Sequence, residues 1–405
     1  MDIFTRMKNF RFFTFLLMLA FVSCKNEDAQ YIDPRGTDYA GAQSCVECHS
    51  DISHSAMVTA HMKATAPATA ENVLGSFESG QNTFVYGPNS TITMEKQGDS
   101  LYQVWKKDGE IQRKHAFDIV FGGRNAQTAV YWHNLNTYEL PVSFYRSANG
   151  WGTSPGFSPT DPNFDRKMIK DCYACHSSNV RSVDAKVTSQ QQNAFTMDVE
   201  DVIHKENIIY GIDCERCHGP AKKHVDYHKK FPDVKIAQQI KSFKSMGKQQ
   251  KLDACSICHA GSDGMKLKSR FDFKPGDNLN DYYRPLPNAE IDVHGNQHGM
   301  LTQSKCFTKS TNMDCTTCHD AHENAPKEPS YYSRICSSCH AHPNHSKETV
   351  ASASKEDLEL KCVECHMPKQ DSRAITFYTA FNSPNQSYQL RTHKIGVYPN
   401  KKSAK

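Results

Sequence analysis

What this chain lacks first is spare cysteine. Fourteen of its 16 cysteines fall inside one recurring five-residue pattern and only Cys24 and Cys306 stand outside it, which leaves no disulfide framework to hold the fold. Apolar residues are scarce as well. At 38% of 405 positions they are too few for a chain of this length to close a conventional core. The apolar run over residues 12–22 is too short to cross a bilayer. Nor does one sign of charge dominate: the formal balance of +4 falls to +2 once residues 1–23 are set aside, because Arg6, Lys8 and Arg11 leave together with Asp2.

The cysteines that are present repeat as two thiols three apart with histidine directly after the second. The copies are Cys45-Val-Glu-Cys48-His49, Cys172-Tyr-Ala-Cys175-His176, Cys214-Glu-Arg-Cys217-His218, Cys255-Ser-Ile-Cys258-His259, Cys315-Thr-Thr-Cys318-His319, Cys336-Ser-Ser-Cys339-His340 and Cys362-Val-Glu-Cys365-His366. With this spacing two thiols can add across the vinyl groups of a haem while the adjacent imidazole takes one axial position on iron. Paired CxxC units also build zinc ribbons, but zinc makes no demand on the residue that follows. Histidine fills 20 of 405 positions, so chance recurrence at all seven copies has a probability on the order of one in a billion. Seven covalently attached haems c are expected. Their propionates would bring the mature chain to a charge of about −12, which argues against nucleic acid as a partner.

Arg6, Lys8 and Arg11 ahead of the apolar run make residues 1–23 a signal peptide. The run ends at Phe21-Val22-Ser23-Cys24, which resembles a bacterial lipobox with Phe21 in place of the usual aliphatic residue. Cys24 is then the lipidated residue, and several acyl chains hold a protein stably to a membrane. Residues 24–38 are polar and read as a lipidated tether, followed by a first-haem segment over 39–70, a β-rich insertion without cysteine over 71–150 and a six-haem domain over 151–405. Export, to the periplasmic or cell-surface side, follows from the leader. The basic end at Lys401, Lys402 and Lys405 is a solvated tail.

Within the insertion, residues 82–121 alternate at a strand period, as at Ile92 with Met94 and Tyr102 with Val104, with turn residues at Gly87-Pro88-Asn89, Gln97-Gly98-Asp99 and Lys107-Asp108-Gly109. Ile236, Ile240 and Phe243 recur at helical spacing and predict an amphipathic helix with Gly247 near its end, and residues 355–360 predict a short helix before the last motif. The fold class expected is mainly α and irregular, a multihaem cytochrome fold with sparse regular structure and a small antiparallel β insertion. Six haems within a domain of this size, roughly 40 Å across by the usual scaling, must lie nearly edge to edge.

Thirteen histidines remain outside the motifs, enough for a second imidazole on every iron. His322, three residues beyond its motif in Cys318-His319-Asp320-Ala321-His322, is best placed to face a haem adjacent to its own. Several stretches carry a family resemblance: Tyr39-Ala40-Gly41 before Cys45, His61 twelve residues after His49, Cys217-His218-Gly219-Pro220 followed by His224, Asp281-Tyr282-Tyr283-Arg284-Pro285 with His294, and Cys365-His366-Met367-Pro368 with a late His393. With these the chain resembles the exported multihaem c-type cytochromes related to the tetrahaem cytochrome and hydroxylamine oxidoreductase group. Ala221 and Cys306 depart from that pattern, and Cys306 reads as a buried, inert thiol. The resemblance implies His61, His224, His294, His322, His345 and His393 as distal ligands and leaves the seventh unassigned, with His298, His204 and His342 competing for places.

An iron with histidine on both faces can only pass electrons, whereas one with a free face can bind and convert a small molecule. The leading expectation is a membrane-tethered cytochrome that relays electrons between redox partner proteins, a membrane quinol-oxidising complex or other cytochromes. The alternative is an oxidoreductase with one open-site haem acting on a small nitrogen or sulfur compound. That open site is expected at the first motif, for which neither His115 nor His133 is an evident second ligand.

Overall fold

Period-two alternation builds most of the regular structure ahead of the second motif. The computed structural model describes residues 32–181, 202–286 and 290–398, so the leader, Cys24 and the basic tail lie outside the described residues. Strands β1 (Thr65–Pro67), β2 (Thr83–Gly87), β3 (Ser90–Gln97), β4 (Ser100–Lys107), β5 (Glu110–Ala116), β6 (Ile119–Gly122), β7 (Ala126–His133), β8 (Asn136–Glu139), β9 (Val142–Tyr145) and β10 (Gly150–Thr153) follow in order. They form an antiparallel sheet of order β2-β3-β4-β5 and a six-stranded sheet of order β1-β6-β7-β9-β10 with β8 on β7. Asp108 and Gly109 both take positive φ, 54° and 85°, between the paired Lys107 and Glu110, the geometry of a two-residue hairpin turn whose twist suits the strands.

The two sheets bury one core between them, with Phe84, Ile92, Met94 and Leu101 from the first against Val120, Tyr131, Val142 and Phe144 from the second. The six-stranded sheet is covered on its other face too. Ile119, Phe121 and Val130 point away from that core and pack with Tyr173, Ala174, Ile203 and Phe271. Tyr173 and Ala174 are the two middle residues of the second attachment motif. The sheet is thus the wall against which that motif is set, and burial on both faces explains why β6 and β7 carry a weaker alternating signal than β3 and β4.

After residue 153 the elements are short. Helices at Lys170–His176, Cys214–His218, Lys248–His259, Pro329–Ser337 and Cys362–His366 hold motif residues, and another occupies Lys355–Leu360. Two-stranded pairings join β11 (Ser177–Asn179) to β12 (Ile209–Tyr210), β13 (Gly264–Lys266) to β14 (Tyr283–Pro285), and β15 (Lys369–Phe377) to β16 (Gln386–Arg391).

The amphipathic helix expected over Ile236, Ile240 and Phe243 is not there. Ile236 is exposed, Gln239 adopts φ 59°, and Gly247 caps the start of the helix at Lys248–His259 instead of ending one. A non-glycine residue with positive φ cannot continue a right-handed helix. The segment spends its backbone on side chains instead: the Gln238 carbonyl and N–H bond His224 and His228.

Gly211 fixes one crossing of the chain on itself. Its φ is +65°, and a Cβ there would stand 1.9 Å from the Met62 carbonyl oxygen, while the next N–H, that of Ile212, donates to the His61 carbonyl at 2.8 Å. Gly211→Ala should therefore lower stability by about 3 kcal/mol through strain at a backbone-to-backbone contact, read as a shift in denaturation midpoint, and should disturb His61 before any other histidine.

Candidate haem-binding site

Each motif is a single helical turn. With cysteines at i and i+3 and histidine at i+4, the two sulfurs and the imidazole share one face. Where the turn lies outside a longer helix the closure is visible in the backbone: the N–H groups of His49, His319 and His340 donate to the carbonyls of Cys45, Cys315 and Cys336 at 2.9, 3.1 and 2.9 Å.

Opposite five motif imidazoles stands a second imidazole. Ring centroids are 6.4 Å apart for His49 and His224, 5.9 Å for His218 and His322, 6.2 Å for His61 and His259, 6.3 Å for His319 and His393, and 6.4 Å for His345 and His366. Two metal–nitrogen bonds of about 2.0 Å, each extended about 1.1 Å to the ring centre, call for about 6.2 Å. The spacing thus suits an iron held between two rings, and is too wide for direct ring stacking. Among the described residues no three His, Cys, Asp or Glu side chains converge as a metal site of their own.

Neighbouring groups orient these rings. His224 Nδ1 donates to the Gln238 carbonyl at 2.7 Å and His366 Nδ1 to the Gly396 carbonyl at 2.8 Å, which turns each Nε2 toward the partner ring. His322 Nδ1 lies 3.1 Å from an Asp320 carboxylate oxygen. Burial pushes the imidazoles of His61, His218, His259 and His319 below their ordinary proton affinity, and His176 and His393 down to about 4. All are therefore neutral near pH 7, the form that can donate a lone pair to a metal.

Two motif histidines have no such partner among the described residues. His176 is half-buried, with Phe121 edge-on at 5.7 Å and its Nδ1 buried without a well-formed hydrogen bond. His294 lies close enough for its charge to bear on both His176 and His259, yet it faces no motif ring at the spacing of the five pairs. The Asp292 carboxylate holds it, accepting from the His294 N–H at 2.7 Å and from the Ser372 hydroxyl at 2.9 Å. His340 is exposed together with Cys339. Of the residues left open for the seventh place, His204 is half-exposed beside Glu206, His342 is exposed and His298 is half-buried.

At the first motif, where an open site was expected, His224 stands opposite His49 across the fold. His115 packs in the sheet core, its ring 3.9 Å from Tyr131 and 5.2 Å from Phe164, and His133 sits against Tyr138. His228 is 4.6 Å from His224, too near for a metal to lie between them.

Cysteines of different motifs also meet. Cys45 and Cys214 are neighbours that bear on each other's proton affinity, as are Cys175 with Cys258 and Cys255 with Cys315. At longer range Cys217 bears on Cys255 and Cys258, Cys336 on Cys318, and Cys362 on Cys336. The thiol edges therefore run first, third, fourth, fifth, sixth, seventh, with the second as a spur on the fourth. Cys306 is half-buried near Cys318 and Cys336.

One group at the site carried no motif signal. Arg35, in the stretch read as tether, is buried and makes a two-pronged pair with Asp213 at 3.0 and 2.8 Å and a third bond to Glu215 at 3.1 Å. Glu215, a variable position of the third motif, also accepts from the N–H groups of Ala40, Gly41 and Ala221 at 3.0, 2.8 and 2.8 Å. It thereby ties the backbone ahead of the first motif to the turn of the third.

No family model matches the sequence, and no curated protein matches it. Among solved structures the fold is similar to that of the outer cell wall cytochrome OcwA, with a TM-score of 0.51 and 14% identity over 84% of this chain and 79% of that one. At that identity the likeness is one of fold.

Proposed function

We propose that the protein is an exported, membrane-tethered heptahaem c-type cytochrome that relays electrons through closely set haems. The observation that carries this is the five pairs of facing imidazoles, since paired axial histidines leave no coordination site for a substrate. Haem, when bound, supplies one-electron redox chemistry. The chain's own residues would hold it: the motif thiols would anchor its edge, the facing rings would ligate the iron, and burial keeps His61, His218, His259, His319 and His393 neutral. Closeness of the thiols of the first and third, second and fourth, and fourth and fifth motifs favours short edge-to-edge steps between those sites, and the exposed Cys339 and His340 offer a place for exchange with a partner such as a quinol-oxidising complex or another cytochrome. The closer relation to the hydroxylamine oxidoreductase group is part of this proposal and rests on the Cys217-His218-Gly219-Pro220 stretch with His224. So does the lipid anchor at Cys24. Cys24→Ser should move the protein from the membrane to the soluble fraction, and unchanged membrane association would refute the anchor.

A second reading is favoured by one observation. His176 is half-buried against Phe121 and is not among the five facing pairs, so a small nitrogen or sulfur compound could occupy the far side of the second site. The deciding measurement is low-temperature EPR of the oxidised protein, with mass spectrometry to count covalent haems. Seven haems, all low-spin and indifferent to nitrite, hydroxylamine and sulfite, support the relay alone. A buried high-spin iron that answers to one of these ligands, and is unchanged in His294→Ala, supports conversion at His176.

A further inference from the structure

Four cations with no carboxylate partner among the described residues gather around one cleft between the ends of the six-stranded sheet and the β15–β16 hairpin. Arg124, Arg146, Lys327 and Lys369 line a cavity of about 590 Å³ with Phe377 and Tyr388, and no acidic residue is among the lining groups. Elsewhere arginines of this region are paired, Arg166 with Glu139 and Arg391 with Glu364. Here Arg124 Nη2 donates to the Ala325 carbonyl at 3.0 Å and Arg146 Nε to the Gly123 carbonyl at 3.1 Å. Those bonds fix the guanidinium groups in place without cancelling their charge. Phe377 forms an apolar floor, stacked on Tyr145 at 3.7 Å. The volume lies within the range of small-molecule sites.

The cleft is joined to the fifth motif. Arg124 is bonded to Ala325, Tyr332 donates its hydroxyl hydrogen to the Pro326 carbonyl at 3.0 Å next to Lys327, and the Tyr332 ring lies 5.9 Å from His319. We propose that this cleft binds a small, multiply charged anion that exchanges one electron with the haem of the fifth motif. The exchange rests on the relay function above. One electron leaves the iron and enters the anion, which becomes more negative by one charge; no bond forms or breaks and no proton moves.

Two measurements on the full haem-loaded protein test it. Hexacyanocobaltate(III), a redox-inert trianion, should bind at one saturable site by calorimetry at low salt. Binding should weaken about tenfold in Arg124→Gln/Arg146→Gln/Lys327→Gln/Lys369→Gln, or in the milder Lys327→Gln/Lys369→Gln if the fourfold variant does not fold, and should be unchanged in Lys96→Gln/Lys107→Gln. Oxidation of the reduced protein by hexacyanoferrate(III) should slow by a similar factor in the cleft variants, while oxidation by the cationic tris(phenanthroline)cobalt(III) should not slow. Wild-type protein that binds the trianion no better than the cleft variants overturns the site and assigns the cations to the haem's own propionates or to an acidic protein surface. Binding lost in the variants with hexacyanoferrate(III) oxidation unchanged overturns the electron exchange. If neither oxidant accepts electrons although the trianion binds, the relay reading fails and with it the exchange, while the anion site stands.

Discussion

Arg35→Met should destabilise the protein by about 3–5 kcal/mol, because it strands two buried carboxylates that lose their cation together. Chemical denaturation followed by tryptophan fluorescence, with haem content checked on the same samples, measures this. The pH dependence distinguishes a lost ion pair from lost packing. Burial raises the Glu215 carboxyl above its ordinary value of 4.5, against the pull of the Ala40 N–H, Arg35 and the other N–H donors. The folded state therefore holds a proton that the unfolded state has released. Stability from that proton is full below 4.5 and is lost as pH rises through the raised value. Without Arg35 the carboxyl rises further, so the deficit should be largest near neutral pH and shrink on acidification. A deficit independent of pH would mean that Arg35 acts through packing alone.

His224→Ala/His228→Ala should convert about one-seventh of the iron from low-spin to high-spin while all covalent haem is retained. The double change is needed because His228 lies 4.6 Å from His224 on the same helix turn and could swing into its place. The new high-spin iron should be the one at His49, since the two rings lie nearly parallel, 14° apart, across the intended metal position. Spectra indistinguishable from wild type would remove His224 as a ligand. Added nitrite or hydroxylamine should then bind a site that had none before, which makes the variant a calibration for any ligand response at His176 in the unaltered protein.

The motifs were legible because covalent attachment demands fixed residues at fixed spacing within one turn. The pairing of rings was not, because it joins residues far apart in the chain: His61 comes to the fourth motif where Gly211 lets one backbone pass against another, and His322 reaches the third from beyond the fifth. Both faces of β6 and β7 are buried, so their pattern understated a sheet that proves to be the wall behind the second motif. The expected helix at Ile236 had the right period, but the carbonyl of Gln238 was already committed to His224, and local periodicity carries no record of such a commitment. Arg35 was opaque for a related reason. A lone arginine in a polar stretch looks solvated until the acids that bury it arrive from residues 213 and 215.

The meeting of thiols has a consequence for how the molecule comes into being. In the folded chain Cys45 lies within reach of Cys214, Cys175 of Cys258, and Cys255 of Cys315. In the exported haem protein proposed above, maturation would take place where thiols oxidise, and a chain that folded before receiving its haems would be open to disulfides between these pairs, each consuming one attachment thiol from two motifs. Assembly would then be a race between two uses of the same sulfurs, with haem delivery to an open chain required ahead of the collapse that brings the cysteines side by side.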